Sequence, residues 1–225
     1  MLDDYSVIQS LFRELDEHIS RRTSVYMIGG GSLMRYGLKS QTKDIDIVVD
    51  TPSEFEVLQK AFEDIGFTPQ IPGKAYERFA ISQILTRGDF RVDLFCKNVC
   101  NKFSLSKGMI ERSEMDNISS KNLSLFTCSM EDVFLFKTMT ERDGDLDDCH
   151  SIVTNTRINW NVILDEAQKQ SSEEHGVWIT WITARLEYFN ERGMRIPILS
   201  DMVRLADKYI DKWEKGLLER NKDFL

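Results

Sequence analysis

At 225 residues the chain holds enough material for one large domain or two small ones, and 41% hydrophobic against 29% charged residues is the balance of an ordinary globular protein. A formal net charge of −8 excludes a general duplex-binding protein, which needs a positive field, but leaves room for a nucleic-acid end held by a local basic patch. No apolar run approaches the ~20 residues that span a bilayer, and M-L-D-D-Y-S-V-I-Q-S lacks the basic and apolar regions of a secretion signal, so no membrane association and a cytoplasmic location are expected.

Residues Leu2 to Arg21 carry Ile8, Leu11, Phe12, Leu15 and Ile19 at helical spacing. Ser24 to Ile28 reads as a strand, Gly29, Gly30 and Gly31 as a turn, and Ser32 to Tyr36 as a short helix that Gly37 stops. Lys43 to Val49 is the second strand. Thr51 and Pro52 break it, and Ser53 is expected to cap a helix burying Phe55, Leu58, Ala61, Phe62 and Ile65. Pro69 and Pro72 mark loop or edge material. Arg78 to Thr86 and Phe90 to Phe95 form a strand pair around the turn Arg87-Gly88-Asp89, and Cys100 to Phe126 holds one more strand.

From Ser129 helical periods run to the end. Ser129 with Asp132 forms a capping box before Val133-Phe134-Leu135-Phe136, and Asp145 with Asp148 repeats that signature for the next helix. Further helices cover Trp160 to Gln170, a segment with Trp178, Trp181, Ile182, Arg185, Leu186 and Phe189 on one stripe, and Ser200 to Arg220, burying Val203, Ala206, Ile210, Trp213 and Leu217. Burial statistics favour core packing for the tryptophans over a base-stacking platform. The organisation is an α/β catalytic half, residues 1–127, joined closely to a helical half, 128–225.

The four cysteines, Cys96, Cys100, Cys128 and Cys149, make no disulfide framework in a chain this long, and the C-x-x-x-C pair lacks further zinc ligands. His18, His150 and His175 stand alone in helical patterns and suit solvated or core-edge positions.

A glycine-rich turn entering a helix favours phosphate, because backbone N–H groups and the helix dipole attract an anion. Gly30, Gly31 and Ser32 are the candidates here. Asp44 and Asp46, at i and i+2 on a strand, share one face, their side chains about 6–7 Å apart at ~3.3 Å rise per residue, while Ile45, Ile47 and Val49 pack behind. Asp93, in R-V-D-L-F, is a third carboxylate in an apolar strand. Phosphoryl transfer asks mainly for positioning and charge neutralisation. Two divalent cations held by three carboxylates supply much of it, Mg2+ being the expected ion and Mn2+ an alternative. Lys137, after four apolar helical residues, is placed to neutralise a triphosphate. Neither G-x-G-x-x-G nor G-K-[ST] occurs here, which excludes a dinucleotide fingerprint or a P-loop. The run after D-x-D and the glycine-serine partner disfavour phosphatases and glycosyltransferases that also use D-x-D.

Gly31-Ser32, Asp44-Ile45-Asp46 and Asp93, in that order and context, resemble the nucleotidyltransferase superfamily typified by DNA polymerase β. That resemblance implies a small mixed twisted sheet flanked by helices, an α/β (α+β) fold followed by a helical bundle. The run K-T-M-T-E-R-D-G-D-L-D-D, Lys137 to Asp148, is similar to the lysine and R-D…D elements of minimal nucleotidyltransferases among abortive-infection (AbiE-type) toxins. By that resemblance Lys137 and Arg142 serve the nucleotide, while Asp145 and Asp148 shape the pocket or lock two helices, their caps favouring the second role.

The function expected is metal-dependent transfer of a nucleoside monophosphate from a nucleoside triphosphate such as ATP. The acceptor hydroxyl belongs to an RNA 3′ end, a protein side chain or a small molecule, and pyrophosphate leaves. The alternative is a silent nucleotide-binding module, an antitoxin or sensor, acting through a protein partner on the C-terminal helices.

Overall fold

The computed structural model of the chain describes residues 1–70, 83–99, 103–118, 120–140, 142–171 and 177–222, the last six through the backbone alone. The expected strand start at Arg78, together with Pro72, Cys100, His175 and the Leu217 side chain, lies outside the described residues.

Helix α1 (Tyr5–Asp16) starts at Asp4, whose side chain accepts from the Ser6 N–H, and it buries Ile8, Leu11, Phe12 and Leu15 as the periodicity requires. Strand β1 (Thr23–Ile28) leads directly into α2 (Gly29–Arg35). The glycines lie inside this helix rather than in a turn before it. Strand β2 (Ile45–Val49) is followed by α3 (Pro52–Asp64). The cap of α3 is Thr51, not Ser53: the Thr51 hydroxyl accepts from Glu54 N–H and the Glu54 carboxylate takes the Thr51 N–H. Pro52 decides this, because a proline without an N–H and with fixed φ suits the first helical position.

Strands β3 (Thr68–Gln70), β4 (Gln83–Arg87) and β5 (Phe90–Cys96) follow, then the short pair β6 (Asn98–Val99) and β7 (Phe103–Ser104). Helix α4 (Lys107–Arg112), β8 (Glu114–Met115) and β9 (Leu123–Thr127) complete the region expected to hold a single strand. Among the described residues seven strands form one mixed sheet in the order β3-β4-β5-β2-β1-β9-β8. Within it, β2 runs parallel to β5 and antiparallel to β1, and β1 runs parallel to β9.

Alternation along the strands sends Val25, Met27, Ile45, Ile47, Val49, Val92 and Leu94 to a core shared with α1 and α3. Tyr26, Ile28, Val48 and Phe95 face a second core. That core is built with α5 (Met130–Lys137), α6 (Asp143–Asn155), α7 (Trp160–Ser171), α8 (Trp178–Glu191) and α9 (Leu199–Lys222). The sheet is therefore the common wall of both cores. Val133, Phe134, Leu135 and Phe136 are all buried, as a helix apolar on every side must be; each such side chain gains about 1.5–3 kcal/mol over exposure. Trp178 is core, set edge-on against Phe103. Trp181 on α8 and Ile210 and Trp213 on α9 depart from the expected stripes: they are exposed, the last two far along α9 past its buried residues Met202 and Ala206.

A charged joint ties three helices of the second core together. The Arg112 guanidinium at the end of α4 donates to Asp132 on α5 (2.7 and 3.1 Å) and to Glu166 on α7 (2.8 Å), and both carboxylates are fully buried. Ser129 caps α5 as expected, but the Asp132 carboxylate takes the Ser129 hydroxyl and Arg112 instead of closing the box on the backbone. Opposite, the Asp16 carboxylate at the end of α1 accepts three backbone N–H groups, from Lys121, Asn122 and Leu123, at 2.7–2.8 Å, and fixes the turn into β9.

Candidate active site

The β2–β5 ladder pairs Asp46 with Asp93 in register. Both side chains leave the sheet on the side of Val48 and Phe95, toward the C-terminal helices. Asp44 stands one residue before β2. One carboxylate oxygen from each of the three lies within 4.8 Å of the others, a tighter cluster than the 6–7 Å expected from strand rise alone. Among the described residues this is the only group of three or more such ligands.

No hydrogen bond or ion pair from a described residue reaches the Asp46 carboxylate. Burial first, and then the Asp44 and Asp93 carboxylates, push it well above the usual carboxylate range against the pull of Lys137 and Arg142. Burial likewise raises Asp93, opposed by Arg91, whose Nε and Nη2 donate to its two oxygens at 2.8 and 2.9 Å. A carboxylate has about four lone-pair sites, so this fork leaves Asp93 able to accept more. Three hard oxygen donors, converging and under-neutralised, fit one or two Mg2+-like cations, and Asp44, Asp46 and Asp93 would hold them.

The glycines have separate tasks. Gly29 has φ +72°, and a Cβ there would stand 2.1 Å from Asp46 Oδ2; only glycine permits both the backbone and the carboxylate's approach. In the sequence Gly29 is one of three successive glycines, and its left-handed backbone and nearness to Asp46 are what distinguish it from its neighbours. A Cβ on Gly30 would meet Thr42 Oγ1 at 2.3 Å, and one on Gly31 would meet Met27 Sδ at 2.7 Å. Gly30 lines the cavity beside the aspartates. Ser32 is fully buried and its hydroxyl donates to the Met27 carbonyl at 2.9 Å, fastening α2 to β1.

The cavity itself, of about 370 Å³, opens in front of Asp44 and Asp46 and is walled by Lys39, Lys43, Lys137, Arg142 and Asp145. Lys137 is buried, with Nζ 2.6 Å from Asp145 and 2.8 Å from Asp148. Its burial would lower its pKa, but Asp145, Asp148 and Asp46 outweigh that and raise it, so it is firmly charged. Asp145 also accepts from the Thr140 hydroxyl and from Arg142 Nε (2.7 Å). Asp148 also takes Lys39, 2.7 and 2.8 Å away. Neither aspartate caps α6: it begins at Asp143 after Arg142, without a side-chain cap. Charge-assisted bonds to buried ammonium groups are stronger than a bond to one backbone N–H. Lys39 was not singled out in the sequence, since its place depends on how α6 packs.

Cys128 and Cys149 are buried thiols, pushed up by burial, and Cys96 is half-buried. His18 and His150 are exposed and away from this cavity's lining. No described helix is long and apolar enough to cross a membrane.

Among the solved structures that resemble the chain are the following. ANT(2″)-Ia in complex with adenylyl-2″-tobramycin is 10% identical over 74% of this chain and 98% of its own, with a TM-score of 0.48. The solution structure of the antibiotic-resistance factor ANT(2″)-Ia gives 10%, 83%, 98% and 0.48. An antigenic nucleotidyltransferase-like protein from Paracoccidioides brasiliensis gives 14%, 89%, 92% and 0.44. No curated protein sequence matches. The family model described as "Nucleotidyltransferase of unknown function (DUF6036)" matches residues 6–188, a span that contains the three aspartates, the glycine-serine segment and the cationic wall. The chain belongs to this nucleotidyltransferase family.

Proposed function

We propose that the chain transfers a nucleoside monophosphate from a nucleoside triphosphate to an acceptor hydroxyl and releases pyrophosphate. The observation that carries this is the convergence of Asp44, Asp46 and Asp93 to within 4.8 Å beside a cavity that Lys39, Lys43, Lys137 and Arg142 line together with Asp44 and Asp46. Bound at the aspartates, divalent cations would activate the attacking hydroxyl and hold the triphosphate. Gly30, which lines the cavity at the start of α2, would let the nucleotide lie close to the backbone, while Gly31 packs on Met27. Lys137 and Arg142 supply fixed positive charge toward the triphosphate, held in place by Asp145. Asp93, its geometry set by the Arg91 fork, is the group placed to accept the acceptor's proton. The likeness of Lys137 to Asp148 to the abortive-infection enzymes favours an RNA 3′ end or a protein side chain as acceptor, which is analogy of motif and not of geometry.

The test is incubation with Mg2+, cell extract and triphosphates labelled at either the α or the γ phosphate. Transfer of α label alone to RNA or protein supports the reading; no transfer, or transfer undiminished in Asp44→Asn, overturns it. A second reading, a nucleotide-binding module that acts through a partner, is favoured by exposed Ile210 and Trp213 on α9. Stabilisation by triphosphate and Mg2+ without turnover would select it.

A further inference from the structure

Lys39 and Lys137 share one counter-ion. Lys39 Nζ lies 2.7 and 2.8 Å from the two oxygens of Asp148, and Lys137 Nζ lies 2.8 Å from one of them. Counting Arg142 and Asp145, three cations and two carboxylates meet in this corner of a cavity that Asp44 and Asp46 also line. The two lysines differ in freedom. The Lys137 side chain is 10% exposed and gripped by both aspartates, so it is fixed charge. The Lys39 side chain is 30% exposed and pairs with Asp148 alone among the described residues. It stems from the segment between α2 and β2, just beyond Gly37 (φ +69°), and not from a packed helix. Its stem also passes the glycine segment: Lys39 Cδ lies 4.0 Å from where a Gly30 Cβ would stand.

We propose that Lys39 is a triphosphate-binding residue, held on Asp148 until nucleotide arrives and then exchanged onto a β- or γ-phosphate oxygen. A lysine suits this exchange, being a compact point charge on a flexible four-carbon stem with three donors. Its departure leaves Asp148 paired with Lys137, so no carboxylate is stranded. Asp148 thus keeps the cavity's charge balanced in the empty state, and the phosphate replaces it as Lys39's partner. The proposal rests on the nucleotidyl-transfer reading and adds to it a phosphate contact outside the Lys137–Asp148 segment.

The test is equilibrium binding, with Mg2+, of ATP, GTP, CTP and UTP and the corresponding monophosphates to the wild type, Lys39→Met and Lys39→Arg, with thermal unfolding as a check on folding. The expected result is triphosphate binding weakened about tenfold or more in K39M, monophosphate binding unchanged within about twofold, and triphosphate binding largely restored in K39R. Wild-type affinity for triphosphate in folded K39M overturns this proposal alone, as does an equal loss for mono- and triphosphates. No triphosphate binding by the wild type overturns the transfer reading and this proposal together. A K39M that fails to fold while K39R folds and binds normally also counts against it, since Lys39 would then be structural.

Discussion

Asp46 and Asp93 are register partners on neighbouring parallel strands, so a single backbone pairing brings two carboxylates together on the face that meets the C-terminal helices. Asp44 completes the group from the residue before β2. The cost of this arrangement appears in Asp46, whose ionised form is opposed by burial and by both neighbours. Asp46→Asn is expected to raise metal-free stability by about 1 kcal/mol, or a few degrees in Tm, while removing stabilisation by Mg2+ and at least about 10³-fold of activity. Thermal unfolding with and without Mg2+ checks the first two and a turnover assay the third.

The Arg91 fork holds Asp93 against burial, which raises its pKa, and so helps to keep it ionised. In Arg91→Met, Asp93 takes up its proton at higher pH. The acid limb of the pH–rate profile should therefore move to higher pH, with activity falling about 10–100-fold at neutrality. An unmoved limb would show that Asp93 does not titrate in the reaction.

Gly29→Ala adds a Cβ where Asp46 Oδ2 now stands and forces alanine to φ +72°. About 1–2 kcal/mol of backbone strain is expected, together with displacement of Asp46 and loss of most activity. Gly31→Ala meets only the Met27 thioether, a side chain able to adapt, and should keep more. Comparing Tm and turnover for the pair separates strain from damage to the site.

The signals on each side of the site differ in how local they are. The glycine-serine segment and the D-x-D pair sit within a few residues on a strand–helix–strand path, so spacing alone reveals them, and Asp93 stands out as a charge in an apolar strand. Gly29 and Lys39 do not, because one is defined by the approach of Asp46 and the other by Asp148 on a helix that packs against it. Ser32 shows the converse: its hydroxyl has a partner in Met27 that a motif cannot foresee. In the fold, periodicity located α7, α8 and α9 but not what packs on each of them. An amphipathic stripe says which side is apolar and not whether anything covers it, hence the exposed Ile210 and Trp213.

Arg112 joins α4, α5 and α7 through two fully buried carboxylates. Arg112→Met leaves both without their cation, and a loss of about 3–5 kcal/mol is expected, measured by urea unfolding as a lower midpoint. Unchanged stability would mean that the joint contributes nothing to holding the helices on the sheet.

Asp16 has burial acting to raise its pKa, yet three backbone N–H groups and nearby Lys121 hold it below the usual value. A depressed folded-state pKa contributes stability that is present above the unfolded value of about 3.9 and is lost as pH falls through the lower folded value. Asp16→Asn should be less stable at neutral pH, and its deficit relative to the wild type should shrink below about pH 4. Unfolding midpoints for both proteins between about pH 2.5 and 7 check the sign.

The central claim is that Asp44, Asp46 and Asp93 act together in nucleotidyl transfer. Its most direct measurement is pyrophosphate release from nucleoside triphosphates, with Mg2+ and an acceptor-containing extract, by the wild type and by Asp44→Asn, Asp46→Asn and Asp93→Asn. The account predicts release by the wild type and a loss of about 10³-fold or more in each folded variant. Release that survives in any of the three, or that is absent from the wild type with all four nucleotides, would contradict it.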